Sequence, residues 1–327
     1  MLGSKRVDLS QPRWDQSTFY GRFCHYANIT DPRTVFTPPS EFIRAKVLLE
    51  QYRNGAEPTR TTLPSLYRAQ KLYQTAFHPD TGDLQNVFGR MNFFSVGGTV
   101  LCAAMMIWYR STGSVIFWQW ANQSFNALVN YSNRNAKSKV TPTQIGVAYV
   151  SATGAALVTA VGLKTFLAQR AGSLAQRLVP LCAVAAANVV NIPLMRQTEL
   201  FNGLMLTDEN DNFVCTSKLA AVKAVSLVTV SRILIATPCM LFTPMIMEAV
   251  EKMRWFARSR AFLNVPVQTA LTFFLLVGMV PVGCALFPQK NWVTSDTLKT
   301  WEQSSYESLK SACPQQMPKY LYFNKGL

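Results

Sequence analysis

Long stretches without a charged residue constrain the fold of this chain more than any other feature of its sequence. Six of them follow residue 90, at 91–109, 111–133, 140–163, 178–195, 224–247 with Arg232 as its single charge, and 261–289. About 20 mainly apolar residues cross the hydrocarbon of a bilayer, where helices bond every backbone polar group internally. The sequence is therefore compatible with up to six membrane-spanning helices.

The composition supports a membrane protein. Charged residues make up 15% of the 327 residues, whereas a soluble domain carries about 25%. The chain is thus short of the groups that cover a wetted surface, which argues against two soluble domains. Hydrophobic residues, at 49%, supply enough apolar surface to exclude a disordered chain.

The charge-free stretches are not equally suited to lipid. The stretch 111–133 carries six Asn or Gln side chains, which are costly to expose to hydrocarbon. We predict an all-α polytopic membrane protein in which residues 111–133 form an Asn-rich amphipathic or re-entrant helix. About five spanning helices are expected near residues 93–110, 145–163, 178–195, 228–250 and 266–286.

The chain divides into three regions by charge. Residues 1–90 are rich in proline and charge, and they form an aqueous amino-terminal region with predicted helices near 41–52 and 63–77. Residues 91–289 form the transmembrane domain, and residues 290–327 form an aqueous carboxy-terminal tail. With five spans, the tail is expected on the side opposite to the amino terminus.

The positive net charge has two explanations, a nucleic-acid face or basic loops on one side of a membrane. The chain has 32 Lys and Arg against 17 Asp and Glu, and the basic residues are spread over the inter-segment loops. This distribution favours the membrane and argues against a nucleic-acid partner. When the Lys and Arg residues of the loops are counted on alternate sides of five spans, more of them lie on the same side as the amino terminus. We therefore expect the amino terminus to face the positive side of the membrane.

Catalytic and metal-binding motifs are missing from the sequence. It contains no phosphate-binding Gly-rich loop, only two histidines, and seven cysteines without a C-x-x-C pair. The acidic segment 208–212 lacks the Gly and Glu of a calcium loop and is interpreted as a polar turn. We expect no enzyme activity, no cofactor, no resident metal and reduced thiols.

A row of carboxamides is the first candidate site. Gln119, Asn122, Asn126, Asn130 and Asn133 are three or four residues apart, which places them within an arc of about 80° on one helix. Carboxamides donate and accept hydrogen bonds without charge, which suits a water-lined path for a small zwitterion. The alternative is that they bond neighbouring helices or lie at the headgroup interface.

The second candidate is a proline near the end of a predicted span. Pro193 should kink or break its helix and free backbone carbonyls, and Asn188 and Asn191 lie one turn apart beside it. Broken helices form substrate sites in many transporters. The alternative is a kink that packing against adjacent helices accommodates.

Arg232 is the third candidate, because an arginine within a span costs about 2.5–3.5 kcal/mol at the helix centre. Its guanidinium matches a carboxylate bidentately, and Arg196 is an alternative partner for the same group. The other interpretation is that Arg232 extends to the interface or pairs with Glu248 or Glu199.

Two further patterns have mainly structural interpretations. His78 and Asp80 belong to a turn closed by glycine, with a proton-linked role for the pair as the alternative. Ala152, Ala156 and Ala160 recur every fourth residue and predict a smooth helix contact.

Several of these segments together resemble the sideroflexin family. They are PRWDQSTF at 12–19, the turn at 78–82, the stretch 118–133, NIPLMRQ at 191–197, ALFPQ at 285–289 and YFNKGL at 322–327. The resemblance implies a multi-pass protein of the mitochondrial inner membrane that imports amino acids, serine above all, for one-carbon metabolism. It also implies five spans inserted without a cleaved presequence, which with the charge count would place the amino terminus in the matrix.

The family is also linked to iron and haem metabolism, and we expect any such link to be indirect because no ligand cluster is present. The expected function is alternating-access transport of serine, with alanine, cysteine and glycine as further candidate substrates and lipid as the surroundings. The alternatives are a membrane scaffold or assembly factor, and an iron- or haem-related transporter.

Overall fold

The computed structural model describes residues 6–9, 11–78, 81–132, 141–167, 176–313 and 317–326. Most of these residues are helical, which confirms the predicted all-α polytopic class. The α-helices are α1 (Phe19–Ile29), α2 (Pro39–Arg53), α3 (Leu63–Ala76), α4 (Met91–Trp108), α5 (Thr112–Ser132), α6 (Pro142–Leu167), α7 (Val179–Met195), α8 (Gln197–Asn202), α9 (Lys218–Glu251), α10 (Arg254–Arg258), α11 (Arg260–Ala285), α12 (Ser295–Trp301) and α13 (Gln303–Ala312). Short 3₁₀ helices lie at Pro32–Phe36 and Val87–Gly89.

Six long helices form a closed ring. In ring order they are α4, α5, α6, α7, α9 and α11, each packing against the next, and α11 packs against α4. Four of them, α4, α6, α9 and α11, are long and apolar enough to cross a membrane, and α7 is a shorter apolar helix. These five helices correspond to the five predicted spans.

The Asn-rich stretch forms α5, which lies antiparallel to α4 along the whole of that helix. Phe93 at the start of α4 contacts Phe125 near the end of α5. At the other end, Trp108 stacks on Trp118 with ring centroids 5.7 Å apart. Helix α5 therefore returns the chain to the end of the bundle from which α4 begins.

This return pass brings the two terminal regions together. Arg22 of α1 donates from Nε to the backbone carbonyl of Ala285, the last residue of α11, at 2.8 Å. The expectation that the tail lies opposite the amino terminus is corrected here, because α5 adds a sixth pass through the bundle. We call this shared end the terminal end of the bundle.

The alanine stripe of α6 makes the predicted helix contact. Ala152, Ala156 and Ala160 are buried, and α6 packs against α7 over most of its length, where Ala183 and Ala187 are also buried. Small side chains on both helices let the two backbones approach closely, which favours association in lipid.

The amino-terminal region has its own apolar core between α2 and α3, built around Phe42, Leu49, Leu66 and Leu72. Both helices lie within a few residues of the positions predicted from the sequence. Asp31 links this region internally, since its carboxylate pairs with Lys71 at 2.6 Å and with Arg33 at 2.8 Å.

A small sheet covers the start of α9, and the sequence did not predict it. Strands β1 (Leu204–Thr207), β2 (Phe213–Ser217), β3 (Lys290–Thr294) and β4 (Tyr320–Asn324) form an antiparallel sheet in the order β2-β1-β4-β3. The predicted polar turn at 208–212 connects β1 to β2. The tail is therefore a folded part of this sheet, packed with α12 and α13 on a common apolar core.

Glu302 of the tail caps α9. Its carboxylate accepts hydrogen bonds from the backbone N–H of Lys218 at 2.8 Å and of Leu219 at 3.2 Å, and from the Ser217 hydroxyl. A carboxylate at a helix N-terminus pairs with free N–H groups and the positive end of the helix dipole. Burial raises the pKa of Glu302, but these hydrogen bonds outweigh it and lower the pKa below its ordinary value.

Candidate functional site

The carboxamides of α5 point into the bundle. Gln119 is 0% exposed and Asn122 is 7% exposed, and Gln123 beside them is also buried. Away from the amides, α5 presents large apolar side chains to the outside, at Phe117 and Trp120. The helix is amphipathic with its polar face inward, so the amides are sheltered from lipid.

Several of these amide atoms have no partner. Gln119 donates from Nε2 to the Tyr109 hydroxyl at 2.8 Å, whereas its Oε1 makes no hydrogen bond. The Nδ2 of Asn122 and the Nε2 of Gln123 are likewise buried without a partner. Buried polar atoms in folded proteins are almost always paired. These atoms are therefore candidate donors and a candidate acceptor for a bound molecule.

Other ring helices add polar groups to the interior. Ser95 of α4 and Ser231 and Thr243 of α9 are buried with hydroxyls that lack a partner. In the rest of the predicted row, Asn126 is partly buried. The side chain of Asn130 and all of Asn133 lie outside the described residues.

In this conformation the amide row is enclosed by helices. A cavity of about 350 Å³ lies instead in the amino-terminal region, lined by residues that include Arg13, Tyr67 and Lys71. A second, of about 250 Å³, lies beside Lys223 and Trp292. A solute could reach Gln119 only after the ring helices move.

Pro193 does not interrupt α7 in its middle. The chain stays helical through Pro193, and α7 ends at Met195, next to the terminal end of the bundle. Asn188 donates from Nδ2 to the carbonyl of Val184 at 3.0 Å within the same helix, and Asn191 is buried. The carbonyls that Pro193 frees therefore lie toward the end of the span, as the position of this proline in the sequence predicts.

Arg196 follows α7 and is held by two protein groups. It pairs with the carboxylate of Glu199, and its Nη1 donates to the backbone carbonyl of Lys325 at 2.8 Å. The guanidinium thereby joins the end of α7 to the end of the tail.

Arg232 is partly buried inside the ring. Neither of the acids considered as partners reaches it, since Glu199 pairs with Arg196 and Glu248 pairs with Lys252. Within the described part of the chain, the Arg232 guanidinium has no hydrogen bond and no ion pair. The guanidinium interacts electrostatically with Cys284 of α11 and with Arg196.

A basic residue that the sequence analysis did not select lies beside Arg196. Lys325, in the tail just after β4, is 2% exposed and lies within electrostatic range of Arg196, Arg22 and Cys284. Burial lowers the pKa of Lys325, and the charges of Arg196 and Arg22 lower it further. A lysine in a polar tail is ordinarily exposed, so its sequence gives no signal of this position.

The remaining predicted groups lie elsewhere. His78 is buried in its predicted turn, where its N–H donates to the Asp83 carbonyl at 2.9 Å and its own carbonyl accepts from Gly82 at 2.9 Å. Asp80 lies outside the described residues. Among the residues that are described, no group of three or more His, Cys, Asp or Glu is placed to hold a metal ion.

The ring of apolar-faced helices, with buried polar groups that lack a partner, defines a multi-pass membrane protein. Comparison with known proteins gives the family. Residues 8–327 match the family model described as Sideroflexins. The chain belongs to the sideroflexin family.

Individual relatives cover nearly the whole chain. A protein named Sideroflexin-2 from Drosophila melanogaster is 47% identical over 99% of both chains. Sideroflexin-2 from Homo sapiens is 46% identical, and Sideroflexin-1 from Homo sapiens is 43% identical, each over 98% of both chains. No solved structure matches the chain. The family resemblance seen in the sequence is thereby confirmed.

Proposed function

We propose that this protein imports serine across the mitochondrial inner membrane and supplies one-carbon metabolism, by alternating access. The observation that carries the proposal is the row of inward amide atoms without partners at Gln119, Asn122 and Gln123. An unpaired buried amide costs about 1–3 kcal/mol, so a chain that keeps three of them retains them for a reason beyond stability.

The polar interior matches the chemistry of a small zwitterion. The unpaired Gln119 oxygen is an acceptor for an ammonium or hydroxyl proton, and the amide nitrogens of Asn122 and Gln123 are donors for a substrate oxygen. Asn191 and Asn126 extend the set of amides. The guanidinium of Arg232 supplies the positive charge that a carboxylate requires.

Alternating access then takes a definite form in this ring. The amides are enclosed in the present conformation, so the ring must open toward one face and then toward the other. The contact between α6 and α7 is suited to sliding, because small buried residues such as Ala160 and Ala183 pack together there. No bond is made or broken during this cycle.

Localisation is part of the same proposal. Sequence resemblance supports the mitochondrial inner membrane, and the charge distribution supports an amino terminus in the matrix. Since Arg22 and Ala285 are in contact, the tail would face the matrix as well.

The experiment is uptake of radiolabelled serine into proteoliposomes that contain the purified protein. Asn191→Ala and Arg232→Ala should lower the initial rate about tenfold or more. Asn202→Ala, at the exposed end of α8, is the matched control and should keep the wild-type rate. Equal rates in all four proteins, with equal protein inserted, would show that these residues do not form the path.

The same assay separates the alternatives. A scaffold or assembly factor gives no uptake above that of protein-free liposomes. An iron or haem transporter gives metal-dependent uptake that excess serine does not compete.

A further inference from the structure

A short basic segment joins α9 to α11 at the end of the bundle opposite to the terminal end. Residues 252–262, which we call the basic loop, include four cations, Lys252, Arg254, Arg258 and Arg260, and no acid. All four cations are exposed. Because α9 and α11 are both long and apolar enough to cross a membrane, the basic loop lies where two spans leave the bilayer.

Two of the four cations pair with acids at the end of α9. Lys252 pairs with Glu248 at 3.6 Å, and Arg260 pairs with Glu251 at 2.9 Å. The carboxylate of Glu251 also pairs with Arg177, which lies just before α7, at 3.4 Å. Glu251 therefore ties the basic loop to the neighbouring helix of the ring.

The other two cations, Arg254 and Arg258, are the first and last residues of α10. Both are exposed, and neither makes a hydrogen bond or an ion pair with any described residue. Phe256 between them is 0% exposed and anchors α10 to the bundle, whereas Trp255 is 58% exposed. Since residues four apart lie on the same face of a helix, the two guanidiniums share one face of α10.

Large apolar side chains accompany these cations. Phe262, in the first turn of α11, is 85% exposed, and Trp108, the last residue of α4, is half-exposed at the same end of the bundle. Tryptophan is enriched at membrane–water interfaces, where basic side chains extend to the headgroups. Exposed apolar rings are unfavourable in water and favourable against acyl chains, so this surface suits a lipid better than a soluble anion.

We propose that the basic loop binds an anionic phospholipid, with Arg254 and Arg258 on the headgroup phosphate and with Trp255 and Phe262 against the adjacent acyl chains. The planar guanidinium matches a phosphate bidentately, and basic segments next to a span attract anionic lipid. The inference requires only that the protein spans a membrane. It does not depend on which solute is transported.

Lipid binding by the full-length protein in detergent tests this site. A ligand that binds the folded state raises its melting temperature, and the lipid concentration at half of the full shift measures the affinity. Phosphatidylglycerol should raise the melting temperature of the wild type more than phosphatidylcholine does, because choline cancels the charge of the phosphate. The double variant Arg254→Gln with Arg258→Gln should bind phosphatidylglycerol about tenfold more weakly or less, since each basic residue strengthens the attraction about fivefold.

The matched control is the double variant Arg53→Gln with Arg60→Gln, which removes the same charge from exposed positions of the amino-terminal region. It should bind phosphatidylglycerol as the wild type does. The double variant Arg254→Lys with Arg258→Lys keeps the charge and should retain most of the affinity. Because Arg254 and Arg258 have no partner among the described residues, their replacement should leave the melting temperature without lipid unchanged.

The outcomes decide between a lipid site and its alternatives. Equal shifts with the two lipids, or an unchanged affinity for phosphatidylglycerol in the Arg254→Gln, Arg258→Gln variant, would overturn the site. An equal loss in the control variant would also overturn it, since net charge alone would then explain binding. Inorganic phosphate that raises the melting temperature as phosphatidylglycerol does would identify a soluble anion as the ligand and contradict the lipid. Serine uptake enters none of these measurements, so the proposed function can fail while this site stands.

Discussion

The amide of Gln119 donates to the hydroxyl of Tyr109 at 2.8 Å, while the oxygen of the same amide is buried without a partner. The bond fixes the direction of the side chain, because Tyr109 lies just after the end of α4. One half of the amide is thus used for structure, and the other half makes no hydrogen bond that holds the fold.

Gln119→Leu tests this division of roles. The substitution removes an unpaired buried oxygen, which stabilises the fold, and also the hydrogen bond to Tyr109, which destabilises it. Because these two effects offset each other in a side chain of similar size, the free energy of unfolding should change by less than about 1 kcal/mol. Thermal unfolding in detergent measures it, with Tyr109→Phe as the comparison because that variant leaves the Gln119 nitrogen unpaired. A loss above about 2 kcal/mol in Gln119→Leu would identify the amide as a structural bond.

The sixth pass makes a prediction about topology. Because α5 returns alongside α4, tags fused to the amino terminus and to the carboxy terminus should be cut by a protease from the same side of the membrane. Protease protection of the two tags, before and after permeabilisation of oriented vesicles, measures this. Protection of one tag and cleavage of the other would mean that α5 does not cross.

The contact between α6 and α7 should be sensitive to side-chain size. Ala156 is 0% exposed, so Ala156→Leu overpacks this contact and should destabilise the protein by about 1–3 kcal/mol. Val158 on the same helix is 76% exposed, and Val158→Leu serves as the control that should leave stability unchanged. Thermal unfolding of both variants measures this difference in stability. Equal melting temperatures would contradict the packing described for α6.

The capping carboxylate of Glu302 predicts a pH dependence. Its pKa is lowered in the folded protein from an ordinary value of 4.5, so its stabilisation is complete above that pH and is lost as the pH falls through the folded pKa. Glu302→Gln should cost about 1 kcal/mol at pH 7, as loss of a helix cap does, and this difference should shrink toward pH 4.

Hydrogen exchange at the first turn of α9, compared between wild type and Glu302→Gln at pH 7 and pH 4, measures this difference. Glu307→Gln, on the exposed side of α13, is the control and should exchange as the wild type does at both values. A difference between wild type and Glu302→Gln that is as large at pH 4 as at pH 7 would contradict the cap.

The helices could be predicted from the sequence because each carries a local signal. The charge-free stretches mark the apolar helices, and the spacing of Gln119, Asn122 and Asn126 marks the polar face of α5. The first signal is one of length and composition, and the second reflects a repeat of about 3.6 residues, which the structure retains. The burial of the alanine stripe on α6 follows from the same rule.

The sheet and the buried lysine could not be predicted, because their positions depend on contacts between distant parts of the chain. Thr207 of β1 pairs with Tyr322 of β4, and neither short strand has an alternating pattern long enough to indicate pairing. Lys325 is buried only because β4 pairs with β3, its N–H donates to the carbonyl of Gln289, and Arg196 binds its carbonyl. The end of α7 at Met195, by contrast, agrees with the span predicted at 178–195, and what the sequence did not show is that the helix continues through Pro193.

The central claim is that inward amides form the path of a small zwitterion. The most direct test is the initial rate of labelled serine uptake into proteoliposomes for the wild type and for the double variant Gln119→Leu with Asn122→Leu, at equal protein inserted. The account predicts saturable uptake by the wild type and a rate at least tenfold lower for the double variant, whose melting temperature is maintained. Equal rates in the two proteins, or wild-type uptake no faster than that of protein-free liposomes, would contradict it.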